Sequence, residues 1–261
     1  MSGGDIPDAV DPATLFRRLS DLTPARLRLE ARPGATRLSD LMAFQQDHAA
    51  ARDAIHGQVD WDALADALAP LPVQRVASRA TDRATYLRRP DLGRQLDTAD
   101  RARLDAVRMP GNPPTLLVVI GDGLSAPAVM AQAAPLMAAL AARLPELEDR
   151  PVVLAQGARV ALGDAIGAAI GAQMVLMLIG ERPGLSVADS LGAYLTLAPR
   201  EGLRDNARNC VSNIHARGGL SHAAAADRLV WLIHEARRLG ATGVALKDDS
   251  GLPPAALPCA P

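Results

Sequence analysis

The sequence predicts an α/β protein whose C-terminal portion is a doubly wound, mostly parallel (Rossmann-like) sheet, preceded by a helical N-terminal region. Three observations predict it. Wholly apolar runs of strand length, at 115–120 (TLLVVI), 151–155 (PVVLA) and 173–179 (QMVLMLI), are separated by stretches of helix length. Strands with no polar alternation are those covered on both faces. Hydrophobic residues make up 49% of the chain and aromatics only 2%. The core must therefore be built from Ala, Leu, Val, Ile and Met, and its small side chains let helices lie close on a sheet. Finally, the cluster MPGNPP at 109–114 reads as a linker. It divides a mainly helical region (1–110) from an α/β domain (111–250), which a Pro-rich tail (251–261) follows.

In order along the chain, residues 12–22 place Leu15, Leu19 and Leu22 on one helical face. Ser39 is a candidate cap for a helix through LMAFQQDHAAARDAIH, with Gly57 as its stop. A helix at 60–68 ends before Pro70 and Pro72. Then Arg75, Arg79, Arg83, Arg88, Arg89 and Arg94 are interleaved with Asp82 and Asp91. By default such a run is a solvated, salt-bridged face; functionally it is a docking surface, because Arg is enriched at interfaces.

After the linker, the strand at 115–120 runs into Gly121-Asp122-Gly123, and an Ala-rich helix follows at 125–144. The second strand is 151–155, a small-residue helix occupies 161–172, and the third strand is 173–179. A further strand is predicted at 193–197 and a helix at 221–239, started by Ser221 and stopped by Gly240. A last short strand is predicted at 242–246.

Charge excludes some functions. The chain has 28 basic and 29 acidic residues and a net charge of −1, no field for nucleic acid. Two distant cysteines, Cys210 and Cys259, fit a reducing cytoplasm better than a disulfide framework. No apolar signal region or membrane-length run is present. The five histidines lack metal-ligand spacing, so no metal site is predicted.

Ligands of open parallel sheets bind beyond the strands' carboxyl ends. Three loops are expected there: GDGLSA (121–126), QGARV (156–160) and GERPGL (180–185). GDGLSA satisfies G-x-G-x-x-A, the dinucleotide fingerprint, but the second strand ends in Gln156-Gly157 without the ribose-binding acid. The turn is then either a plain strand-to-helix link or a place where a large polar cofactor approaches the backbone. In GERPG, Glu181 and Arg182 form either an exposed ion pair or, through Glu181, an acceptor for a ligand. In RNCVSNIH (208–215), Cys210 and His215 raise a thiol nucleophile. No orienting acid accompanies them, so cofactor lining is the preferred role and no catalytic residue is assigned.

The stretch YLRRPDLGRQL (86–96), the loop GDGLSA and the run 158–247 resemble the ethanolamine ammonia-lyase small subunit (light chain) family. GERPGLSVADSLGAYLT and RNCVSNIHARGGLS are its most specific motifs, and TPARLRL (23–29) and DHAAARDAIH (47–56) are also similar to it. The resemblance covers nearly the whole chain, excluding the first several residues and the tail after Asp248. It implies an adenosylcobalamin-dependent conversion of ethanolamine to acetaldehyde and ammonia, started by an adenosyl radical that takes a substrate hydrogen. It also implies a hetero-oligomer with a large subunit that carries the substrate site, the small subunit covering the cobalamin from the other side, with 1–110 for docking.

The family's cobalamin contacts fall on Val160, Glu181 and Cys210. D-x-H-x-x-G is absent, which fits a cofactor retaining its own benzimidazole on cobalt. Ala207 and Val211 depart from the family's usual acid and Ile. A cytoplasmic location is expected; packaging in bacterial microcompartments is linked to an extra N-terminal segment of longer members. The alternatives are an NAD-dependent oxidoreductase and a non-catalytic α/β scaffold whose surface is YLRRPDLGR.

Overall fold

The computed structural model describes residues 11–22, 36–107, 114–147 and 150–251. The TPARLRL segment, most of the 109–114 linker and most of the Pro-rich tail lie outside them. The elements run α1 (Pro12–Leu22), α2 (Leu38–His56), α3 (Trp61–Ala67), β1 (Val73–Ala77), α4 (Arg83–Arg88) and α5 (Thr98–Val107). They continue with β2 (Leu117–Gly121), α6 (Ala126–Ala141), β3 (Val152–Gln156), α7 (Leu162–Ile170), β4 (Met174–Gly180), β5 (Leu191–Leu197), β6 (Asn209–Ile214) and α8 (His222–Leu239).

Local chemistry sets the helix ends. Asp60, Asp82, Ser125 and Ser221 each accept a hydrogen bond from the backbone amide three residues on, capping α3, α4, α6 and α8. Left-handed Gly171 and Gly240 close α7 and α8. The cap expected at Ser39 is not used. α2 starts two residues earlier, after Arg37, which makes no side-chain capping bond.

The six strands form one mixed sheet in the order β1-β3-β2-β4-β5-β6. β1, β3, β2 and β4 are parallel, whereas β5 is antiparallel to both β4 and β6. The mostly parallel sheet expected thus holds for four strands. The chain between Gly180 and Leu191 carries no helix and is too short for a parallel crossover, so it folds straight back.

Both edge strands escape a reading by apolar runs. β1 (VQRVA) hides among arginines, and β6 (NCVSNI) reads as a polar loop although Val211 and Ile214 are buried. The strand expected at 242–246 is instead a 3-10 turn at Gly243–Ala245. Gly243 has φ +76° and lies so close to Asn206 that a Cβ would sit 2.0 Å from its carbonyl oxygen. The Asn209 side chain then holds the Gly243 amide at 2.7 Å and the Leu246 carbonyl at 2.8 Å.

Alternate residues of each central strand enter two cores. Val118 and Ile120 pack with Leu64 of α3, Leu136 of α6 and Leu229 of α8. Leu117 and Val119 pack with Leu104 of α5 and Ile166 of α7. Each fully buried Leu or Ile contributes roughly 1.5–3 kcal/mol. The second cover stops short of the β6 edge: Tyr194 of β5 is half-buried, and Cys210 and Ser212 of β6 are exposed. No helix among the described residues is long and apolar enough to cross a membrane.

Candidate functional site

The carboxyl ends of β3, β2 and β4 lie side by side, which brings the three loops chosen from sequence to one edge of the sheet. Two of them are locked to each other. Asp122 accepts hydrogen bonds from the amides of Gly157 (3.0 Å), Ala158 (2.8 Å) and Gly123 (3.0 Å), and Arg83 stands 3.7 Å away. Burial pushes the Asp122 carboxyl above its usual range, against the pull of those amides and of Arg83.

On the other side, Gly123 (φ +57°) packs on β4. A Cβ there would lie 2.2 Å from the Gly180 carbonyl oxygen, which accepts from the Leu124 amide at 2.9 Å. In the Gly-rich turn itself, the Gly123 amide is thus taken by the Asp122 side chain and the Leu124 amide by the Gly180 carbonyl, so neither is left for a dinucleotide pyrophosphate. This geometry argues against the NAD or FAD reading. Gly123 and Leu124 instead offer backbone and apolar surface to the neighbouring cleft.

That cleft, about 250 Å³, is lined by Tyr86, Gly123, Leu124, Arg159, Val160, Ile179, Gly180, Glu181, Arg182 and Tyr194. The structure thus brings together Val160 and Glu181. Cys210 is not part of the lining. It sits on β6 directly opposite Tyr194, which lines the cleft, so it neighbours the cleft by way of that tyrosine.

Glu181 lies at the seam between the two halves of the sheet. Its Oε2 accepts from the Ser190 hydroxyl at 2.6 Å and the Asn213 amide at 3.3 Å. Its Oε1 has no protein donor among the described residues. Gly192 makes room for this side chain, since a Cβ there would lie 2.9 Å from Oε1. Glu181 therefore bonds to Ser190 and Asn213 rather than forming the exposed ion pair considered with Arg182.

Tyr86 and Tyr194 were not singled out from sequence, yet they are the only tyrosines of a chain poor in aromatics. That scarcity was the available signal. Tyr86 donates to the Ala158 carbonyl at 2.9 Å and is flanked by the guanidinium groups of Arg159 at 4.3 Å and Arg83 at 4.8 Å from its ring. Desolvation raises both phenols well above their ordinary value, with Cys210 and Glu181 adding to it at Tyr194. Partial desolvation also raises the Cys210 thiol, and Glu181 adds to that as well, against the opposing influence of Tyr194.

These groups stay protonated at neutral pH. They supply uncharged hydrogen-bonding and apolar surface, not a thiolate nucleophile. His215 is buried past the end of β6, its Nδ1 without a hydrogen-bond partner among the described residues. Among the described residues no three His, Cys, Asp or Glu side chains converge in a way that could hold a metal ion.

A family profile described as "Ethanolamine ammonia-lyase light chain (EutC)" matches residues 13–247. Among curated relatives, the ethanolamine ammonia-lyase small subunit of Rhodopseudomonas palustris is 53% identical over 241 residues, 91% of each chain. That of Bradyrhizobium diazoefficiens is 51% identical over 251 residues, 92% of this chain and 94% of the relative. That of Azotobacter vinelandii is 46% identical over 240 residues, 90% of this chain and 88% of the relative.

Proposed function

Because this chain belongs to the ethanolamine ammonia-lyase light-chain family, and so is a subunit of an ammonia-lyase, we propose that it covers one side of an adenosylcobalamin cofactor whose other side faces a large subunit. The large subunit carries the ethanolamine site in this reading. The observation that supports it best is the cleft at the strand ends, which joins Val160 and Glu181 to both tyrosines and, through Tyr194, to Cys210. A hollow of about 250 Å³ takes only the edge of a corrinoid, which suits a cofactor shared between two subunits.

When bound, the cofactor supplies the radical chemistry that turns ethanolamine into acetaldehyde and ammonia. This chain's residues bind, orient and exclude water. Val160 offers apolar contact, Glu181 offers Oε1 as an acceptor for amide or hydroxyl donors, and Cys210 is a small uncharged group beside Tyr194. None of the three is given a catalytic role. The Rossmann-like description is proposed for the four parallel strands alone. Residues 111–250 form the cobalamin-binding part, and 1–110 the part for docking. The compartment we assign is the cytoplasm, free or inside a bacterial microcompartment.

The test is reconstitution. The purified chain, a cognate large subunit and adenosylcobalamin are mixed, and ammonia release from ethanolamine is followed, with each subunit alone as control. Activity confined to the mixture is expected. A silent mixture, made with a large subunit that is active alongside its own small subunit, contradicts the assignment.

A further inference from the structure

A second, larger hollow of about 800 Å³ lies between α5, the turn after α4 and the loop that follows β5. Arg79, Arg94, Arg101 and Arg204 line it with Asp91, Glu201 and Asp205. Asp91 is engaged by Arg89 at 2.7 Å and Glu201 by Arg101, while Asp205, its side chain 97% exposed, shares Arg208 (2.9 Å) with the buried Asp164. Arg79 donates to the neutral amide oxygen of Gln95 at 2.7 Å. Like Arg94 and Arg204, it meets no carboxylate among the described residues. Three exposed guanidinium groups therefore line one groove with no carboxylate partner among the described residues, and they outnumber the one carboxylate there, Asp205, whose cation is shared.

Covering them with an apolar surface would strip their water and leave them unpaired, a heavy penalty. Covering them with carboxylates satisfies them and steers encounter from a distance. The three arginines come from separate segments: the loop after β1, the turn after α4 and the loop after β5. That spacing along an open groove suits an extended, carboxylate-bearing polypeptide better than a single small anion. The groove also borders the cofactor cleft, since Ala161 lines the groove and Val160 the cleft.

We propose that this groove seats an acidic segment of the large subunit and speeds its association with this chain. The proposal rests on the subunit reading above. It gives part of the arginine-dense stretch its use: Arg75 and Arg83 are tied down within the fold, whereas Arg79 and Arg94 are left for a partner.

The test uses the full chain carrying Arg94→Glu and Arg204→Glu, both at exposed positions, with the cognate large subunit. Association rates are measured by interferometry at low and high salt. At low salt the double variant is expected to associate slower by on the order of tenfold, with the difference collapsing at high salt. Arg94→Lys with Arg204→Lys should keep the original rate. An unchanged low-salt rate in the Glu variant overturns the groove assignment and leaves the subunit reading standing. An unchanged rate together with weaker adenosylcobalamin binding by the assembled enzyme overturns it in favour of a cofactor subsite. Failure of the unmodified chain to associate at any salt overturns both.

Discussion

The parallel and antiparallel halves of the sheet treat their polar groups differently. At the carboxyl ends of the parallel strands, Asp122 takes up three loop amides and Tyr86 a loop carbonyl, so these loops are held mainly by each other. On β5 and β6, by contrast, Tyr194 is half-buried, Cys210 is exposed, and Glu181 at the seam keeps one carboxylate oxygen without a donor among the described residues. A rigid half thus presents a half-open one. Ligand contacts should concentrate along the seam, because that is where unsatisfied groups lie on a fixed frame.

The contrast would be broken most severely at the joint between the halves. Arg208, just before β6, and Asp164 of α7 form an ion pair with side chains only 2% and 3% exposed. Removing one partner of such a pair strands the other in the core. Arg208→Ala should cost about 3–5 kcal/mol, a Tm loss on the order of 10 °C, measured by thermal unfolding. A change of only a degree or two would mean that the joint is not structural.

The next effect belongs to the rigid half. Asp122→Ala leaves the Gly157 and Ala158 amides without acceptors and should cost roughly 1–3 kcal/mol in denaturant unfolding. The sign of its pH dependence follows from the raised carboxyl. The folded state holds the proton more tightly than the unfolded chain, so the stability linked to this proton is fully present below the usual carboxylate range. It is lost as pH rises through the folded value. Asp122→Asn, which cannot titrate, should flatten that decline; an equal slope in both proteins would contradict the account.

The smallest stability effect is expected in the open half. Cys210→Ala, at an exposed edge position, should change stability by no more than about 0.5 kcal/mol. With Cys259→Ser as background, alkylation of Cys210 should be slow at neutral pH and accelerate only above the ordinary thiol range, since the thiol is raised. Rapid labelling at pH 7 would reveal a thiolate and reopen the nucleophile reading. The tyrosines sharpen the same point. With only two in the chain, absorbance titration of the native protein should show no phenolate in the ordinary range near pH 10.

How much of this was legible depended on the kind of signal. The three apolar runs announced β2, β3 and β4, and with them the edge where Val160 and Glu181 meet. The edge strands did not announce themselves, because exposure on one face permits Arg75 in β1 and Cys210 and Ser212 in β6. The reversal at β5 was readable in principle from the short helix-free connection between Gly180 and Leu191, a length argument that apolarity alone does not make. Gly243 misled because its flanking residues look strand-like while its backbone is left-handed. Tyr86 and Tyr194 meet at one cleft from distant parts of the chain, a proximity that only the fold creates.

The claim that this chain holds one side of the cofactor is tested most directly by Glu181→Ala in the assembled enzyme, titrated with adenosylcobalamin and followed by absorbance. Losing a hydrogen bond to a charged acceptor should weaken affinity by roughly tenfold, about 1.5 kcal/mol, with assembly intact. An affinity equal to that of the unmodified enzyme would remove Glu181 from the site and contradict the account.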